Sequence, residues 1–383
     1  MFQDRISTAG SPGIAGRWVA RIATGLAVAS LLAAGPTDTR AKAGTITVTT
    51  TIQAAVNAAN PGDTVLVPPG RYHETVTIAK SGITIRGGKG AILDAAGFSV
   101  GIRASSGPIS PVPGGFPICP PLSLHDIVID GLKVVNASFT GVLLRGVDGF
   151  SVRDGRYIDN EAYAIFPICS HDGVVEGNWV EGTDDAAIYI GDSDDVVIHG
   201  NHATDSTVGI EIENTTNTVV TGNTVTGNTA GIVAFVLPGL PIPETTGLRI
   251  QGNVVAQNNR PNPLDPNDPD EAAGRIPAGS GILILGADDV LIARNEVIGN
   301  DSGGIAIASN PFGAIDPRVD PEPDGVTVRS NVVRSNGLAP DQVRSPFPGA
   351  DIIYDGSGSA VCFEKNTYGT DFPAGVVVAY SCN

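Results

Sequence analysis

Charged and aromatic residues are scarce in this sequence. Only 16% of its 383 residues are charged and 5% aromatic, while glycine and proline number 49 and 28. Breakers on that scale exclude a long coiled coil or an ordinary helical bundle. Positive charge is short as well: 23 Lys/Arg stand against 40 Asp/Glu, a formal charge of −17. That balance excludes nucleic acid as the main partner, although a local basic patch can still receive an acidic sugar. Disorder is excluded too, because 42% of the chain is apolar and the apolar residues recur regularly.

Long apolar runs are absent but for one. Residues 22–34 form it, behind Arg5, Arg17 and Arg21 and ahead of Ala41-Lys42-Ala43. A basic start, a short apolar run and an A-x-A site read as a removable export signal over 1–43, with Gly44 as the first mature residue. The alternative is a retained anchor. No other stretch is apolar enough to span a bilayer. The expected location is secreted or cell-envelope, and residues 44–383 are expected to form one domain.

Cysteine is rare: Cys119, Cys169, Cys362 and Cys382, with no C-x-x-C pair. Zinc and thioredoxin-like sites are therefore not expected, and an exported chain favours disulfides. Cys362–Cys382 would staple the C-terminal end, and Cys119–Cys169 then follows by elimination.

What the chain does have is a repeat. Asn recurs at 178, 201, 223, 253, 295, 331 and 366, with gaps of 23, 22, 30, 42, 36 and 35. Each unit contains short Ile/Val-rich segments bounded by Gly and Asn, the last of the form Gly-Ile-x-Ile. Such segments are strands, and Asn suits the left-handed corners between them. A 22-residue unit of three strands is one coil of a right-handed parallel β-helix, an all-β solenoid rising about 4.8 Å per coil. Roughly eleven coils are expected between Gly62 and Asn383. Loop insertions are expected near 105–121, 237–246, 260–277 and 310–324. Residues 52–59 read as a short amphipathic helix capping the first coil.

The segment "TIQAAVNAANPGDTVLVPPGRYHETVTI" resembles the opening of pectin-lyase-like β-helix proteins. Residues 157–243 resemble an exported right-handed parallel β-helix repeat family of uncharacterised function, and the likeness extends over roughly 46–382. It implies the fold, export, kinship with carbohydrate-binding proteins and sugar hydrolases, and a second exported protein as a companion. It supplies no catalytic residues.

Alternation along the Gly-Ile-x-Ile strand turns Ile inward and x outward. The outward stripe then carries Leu143 and Arg145, Phe166 and Ile168, Tyr189, Glu211 and Glu213, Val233 and Phe235, Leu283 and Leu285, and Ala306. Arg145, Phe166, Tyr189, Glu211, Glu213 and Phe235 are the expected groove for a polysaccharide or oligosaccharide. The bland alternative is that the inserted loops pack on this apolar stripe. Glu211 and Glu213 could also hold Ca²⁺ through oxygen ligands. Lyase chemistry there would need a base, and residues 157–243 contain no Lys or Arg.

Asp184 and Asp185 are similar to the paired aspartates of polygalacturonase-type hydrolases, but the neighbouring coils lack the matching Asp and His. A satisfied corner is the plainer reading. "YAIFPI" from Tyr163 resembles an alginate-epimerase motif with Phe166 and Ile168 in place of its Asp and His. His171-Asp172 could orient a base, and Asp192, Asp194 and Asp195 read as a solvated corner. Two functions remain: a carbohydrate-binding or carbohydrate-modifying solenoid, and a non-catalytic interaction solenoid.

Overall fold

The computed structural model describes residues 43–112, 115–268, 272–310 and 313–382. The expected export signal lies outside the described residues, apart from Ala43. Among the described residues, no helix is long and apolar enough to cross a membrane.

The strands pair in parallel from one coil to the next, forming the expected right-handed β-helix of pectin-lyase-like fold. One face is a twelve-stranded sheet. Eleven of its strands begin at or after Thr64, in line with the expected coil number. The other two faces merge into a nineteen-stranded sheet. They merge because Trp179–Gly191 and His202–Glu213 run as single strands of 13 and 12 residues across the corner. The repeat expected separate short segments there.

Register is set by apolar residues that face inward at every coil. Ile165, Ile188, Ile210, Ile232, Ile282, Ile305 and Ile352 occupy matching positions on successive strands. All seven are essentially buried. Each contributes roughly 1.5–3 kcal/mol relative to exposure, and a slip of one residue would expel the whole column. A glycine precedes four of the seven, Ile210, Ile232, Ile282 and Ile305, and close approach requires it there. A Cβ on Gly231 would lie 2.4 Å from Val255 Cγ1 and 2.5 Å from the Gly281 carbonyl oxygen.

The repeated asparagines do something other than turn corners. The left-handed residue is the one before each of them: Gly177, Gly200, Gly222, Gly252, Arg294, Ser330 and Lys365. The asparagines themselves form a ladder inside the coil. Asn178 Nδ2 donates to Asn201 Oδ1 at 2.9 Å, and the pattern continues through Asn223, Asn253, Asn295, Asn331 and Asn366. Each also donates to a core-strand carbonyl, as Asn295 does to Ile250 O at 2.9 Å. A second ladder joins Asn228, Asn258, Asn300 and Asn336 and ends on Asp351. Buried amides are thereby paired coil by coil.

The ends are closed as expected. The helix Ile52–Ala58 starts on Thr51, whose side chain accepts from Ala54 N, and the Glu74 carboxylate takes the Ile52 and Gln53 N–H groups. Carboxylates there satisfy free amides and the helix dipole. Both expected disulfides are present, Cys119–Cys169 and Cys362–Cys382.

Candidate functional site

The outward rows of the long sheet are as alternation requires. One row runs Arg103, Leu143, Phe166, Tyr189, Glu211, Val233, Leu283 and Ala306. Beside it run Ser105, Arg145, Ile168, Gly191, Glu213, Phe235 and Leu285. From the N-terminal side, the face is basic, then aromatic, then acidic, then apolar.

An open groove along this whole stripe is not what forms. Tyr189, Glu211, Glu213 and Phe235 are only 4%, 3%, 8% and 4% exposed. Their side chains leave the coil as expected, but loops fold over them. Leu237, Leu264, Ala273 and Ile276 pack on Tyr189, Val233, Phe235 and Leu283 as a second apolar core. The covering loops hold one another. Asp316 Oδ2 accepts from Gly239 N at 2.9 Å, Arg318 Nη2 donates to Leu240 O at 2.8 Å, and the Arg318 guanidinium sits over the Phe116 ring. Arg318 and two backbone N–H groups hold the Asp316 carboxyl well below the usual carboxylate range. The apolar stripe drives this closure, since a run of exposed Leu, Val and Phe is worth burying.

Under the cover, acids and tyrosines face one another. Tyr189 donates its hydroxyl to Glu213 Oε1 at 3.0 Å. Burial pushes Glu213 up to about 8, partly opposed by the Tyr189 hydrogen bond and reinforced by Asp192 and Asp185. Burial also raises Asp192 to about 6, against the pull of the Ile242 N–H and Arg318. Tyr163 and Tyr189 are raised by burial and by nearby carboxylates, so both stay neutral. Burial therefore biases Glu213 toward its protonated form in a largely covered site.

Asp184 and Asp185 sit not in a turn but at a register shift inside Trp179–Gly191. Asp184 is exposed, while Asp185 is buried and bonds Tyr163. His171, Asp172, Asp194 and Asp195 lie on the twelve-stranded sheet, away from the stripe. His171 Nε2 is 3.4 Å from Asp194 Oδ2. Three donor atoms that gather within 4.8 Å belong to Asp148, His171 and Asp172. Glu211 and Glu213 are not part of that group, and Glu213 Oε1 is already taken by the Tyr189 hydroxyl.

The part of the face that stays open is at the aromatic and basic end. Tyr163 and Phe166 stack with ring centroids 4.4 Å apart and planes 8° from parallel. Phe139 meets both edge-on and is 39% exposed. Arg103 and Arg145 stand beside them. Burial lowers Arg145, and Arg103 adds repulsion. Arg145 Nε donates to Ser105 Oγ at 3.2 Å. Among the described residues, neither arginine has a carboxylate within ion-pair distance. The Cys119–Cys169 disulfide brings loop 106–121 against the corner that follows Tyr163–Ile168. Sequence reasoning missed Arg103, Phe139 and Tyr163 as members of one surface. For Arg103 a signal existed, since "VGIRAS" has the Gly-Ile-x form of the later coils.

The family described as "Right handed beta helix region" matches residues 122–236. Among curated proteins, none matches the chain in sequence. Several solved structures share the fold. The A-module of mannuronan C-5 epimerase AlgE4 from Azotobacter vinelandii has a TM-score of 0.55 at 14% identity, covering 82% of this chain and 90% of that one. PfbA, a surface adhesin of Streptococcus pneumoniae, has a TM-score of 0.55 at 13% identity, covering 84% and 85%. The AlgE6 A-module from Azotobacter vinelandii has a TM-score of 0.50 at 12% identity, covering 83% and 91%.

Proposed function

We propose that this is an exported protein that binds a polysaccharide or oligosaccharide on the open end of the Gly-Ile-x-Ile face, without turnover at the buried carboxyls. The observation that carries the reading is the stacked Tyr163–Phe166 pair with the exposed Phe139, flanked by Arg103 and Arg145. Aromatic faces stack on the apolar faces of sugar rings, and free guanidinium groups pair with hydroxyl or carboxylate oxygens. Two arginines with no acid partner among the described residues favour an acidic sugar even in a chain of net negative charge. Two disulfides in a chain of four cysteines support an oxidising, exported setting. The like-folded epimerase module and adhesin mean that the fold alone does not choose between an enzyme and a binding protein. The choice rests on Glu211 and Glu213, which are sealed from solvent and so cannot reach a polymer.

A glycan-array screen of the chain tests the reading. Retention of acidic oligosaccharides is expected, and Arg145→Ala should abolish it. No retention of any glycan would overturn it and favour the second reading, a solenoid that docks on another exported protein. The observation favouring that alternative is the loop-covered middle of the stripe, which is a packed interface rather than a cleft.

A further inference from the structure

Beyond the carboxyls the two outward rows turn apolar: Val233 and Phe235, Leu283 and Leu285, Ala306 and Ala308. Alongside this packed core the loops and sheet leave a cavity of about 420 Å³. Ile276 and Phe347 face it from the loops, and Ser309, Ile353 and Asp355 line its C-terminal end. The walls are fixed in place. Arg344 Nε donates to Gly274 O at 2.8 Å and its Nη2 to Leu264 O at 2.9 Å, so residues 338–348 are tied to 260–277. Asp341 pairs with Arg344 at 3.4 Å and accepts from Ala278 N at 3.2 Å. The cavity is thus preformed, and the Arg344 charge is already met.

We propose that this cavity binds the alkyl or acyl chain of a neutral, hydroxylated amphiphile. The floor is a straight row, Val233–Leu283–Ala306–Ile353, spanning three coil steps or about 14 Å. A row of apolar side chains of this length matches an extended chain. A bare sugar ring would leave its hydroxyls unpaired against Val and Leu. Ser309 and Asp355 stand at its C-terminal end, where the head would sit; Arg275, Ser280, Ser302 and Ser345 line it elsewhere. Asp355 accepts from Ser309 N at 2.8 Å and has no cation within ion-pair distance among the described residues. Its charge repels a carboxylate or phosphate head, while its oxygens can accept from hydroxyls. Preformed apolar cavities of this size with a few polar groups are the usual form of small-ligand sites.

This site is separate from the aromatic patch, so the two readings fail independently. The test is calorimetric titration of the full chain with hexyl, heptyl and octyl β-glucoside below their micelle concentrations, beside methyl β-glucoside and octanoate. Affinity should rise by about fourfold per methylene, the equivalent of ~0.8 kcal/mol. Methyl glucoside should not bind, and octanoate should bind at least tenfold more weakly than octyl glucoside. Ala306→Phe should abolish octyl glucoside binding; if that variant fails to fold, Ala272→Phe on the loop wall should do the same. Phe166→Ala should leave it intact. Affinity that ignores chain length, equal binding of octanoate, or full binding by a folded cavity-filling variant would overturn the proposal.

Discussion

Tyr189 shows how a side chain can leave the coil and still belong to a core. Its ring packs on Phe166 at 4.6 Å and on Tyr163 at 5.3 Å, and its hydroxyl ends on Glu213. Tyr189→Ala should therefore cost ~3–5 kcal/mol of stability in urea unfolding, as buried aromatics do. Tyr189→Phe should cost less, ~1–2 kcal/mol, for one lost hydrogen bond. Glu213 adds a pH dependence. Its folded value of about 8 exceeds its ordinary 4.5, so the folded chain holds this proton more tightly than the unfolded one. Its contribution is fully present below about pH 4.5 and is lost as pH rises through 8. Asp192 acts with the same sign between 3.8 and about 6. Stability should fall by ~5 kcal/mol from pH 5 to pH 9, ~4 of it from Glu213, so Glu213→Gln should remove most of that slope. An unchanged slope in Glu213→Gln would place the titration elsewhere. Strand alternation reveals in the sequence that Tyr189, Glu211 and Glu213 share a face. It cannot reveal their burial, because the cover depends on contacts such as Gly239–Asp316, 77 residues apart. Phe139 was illegible for a different reason: it precedes its strand and follows no period.

At the level of strands and corners, the asparagine period was the clearest feature of the sequence, yet its physical role lay one step from the expected one. Gly or another residue takes the left-handed turn, and the asparagine spends its amide on the ladder. Asn295→Ala would leave the Asn253 backbone N–H and Nδ2 without their acceptor and the Ile250 carbonyl without its donor. A loss of ~3 kcal/mol or more is expected from such orphaned buried groups. Asn366→Ala, at the half-buried end of the ladder, should cost distinctly less in the same denaturation series. Equal costs would mean that the ladder is not cooperative. Three of the four loop insertions were legible from the lengthened Asn gaps of 30, 42 and 36, while the one near 105–121 precedes the series and was legible from its Pro and Gly content. The gap of 35 from Asn331 to Asn366 holds a further excursion, residues 337–349, which was not among the expected insertions. That loop carries Arg344, which fixes the walls of the apolar cavity.

Across the whole molecule, stability is a chain of nearest-neighbour contacts between coils. The Cys362–Cys382 disulfide holds the last of them, where Phe363 exchanges backbone hydrogen bonds with residues 380 and 382. Its removal by Cys362→Ser with Cys382→Ser should cost ~2–4 kcal/mol at most. Hydrogen exchange should quicken first in Ala350–Tyr354 and Cys362–Glu364, with Ala230–Phe235 unaffected. Uniform loosening would contradict a solenoid whose ends unravel independently. Aromatic surfaces among the described residues include the Phe139, Tyr163 and Phe166 patch, and Trp179 stacked on His202 at 3.9 Å beneath Arg156. The proposed function selects the first. The most direct measurement is calorimetric titration of an array-positive oligosaccharide against wild type, Phe139→Ala and Trp179→Ala. Phe139→Ala should weaken binding by ~1–2 kcal/mol, the scale of a lost aromatic contact, and Trp179→Ala should leave it unchanged. Loss of binding in Trp179→Ala with none in Phe139→Ala would contradict the account.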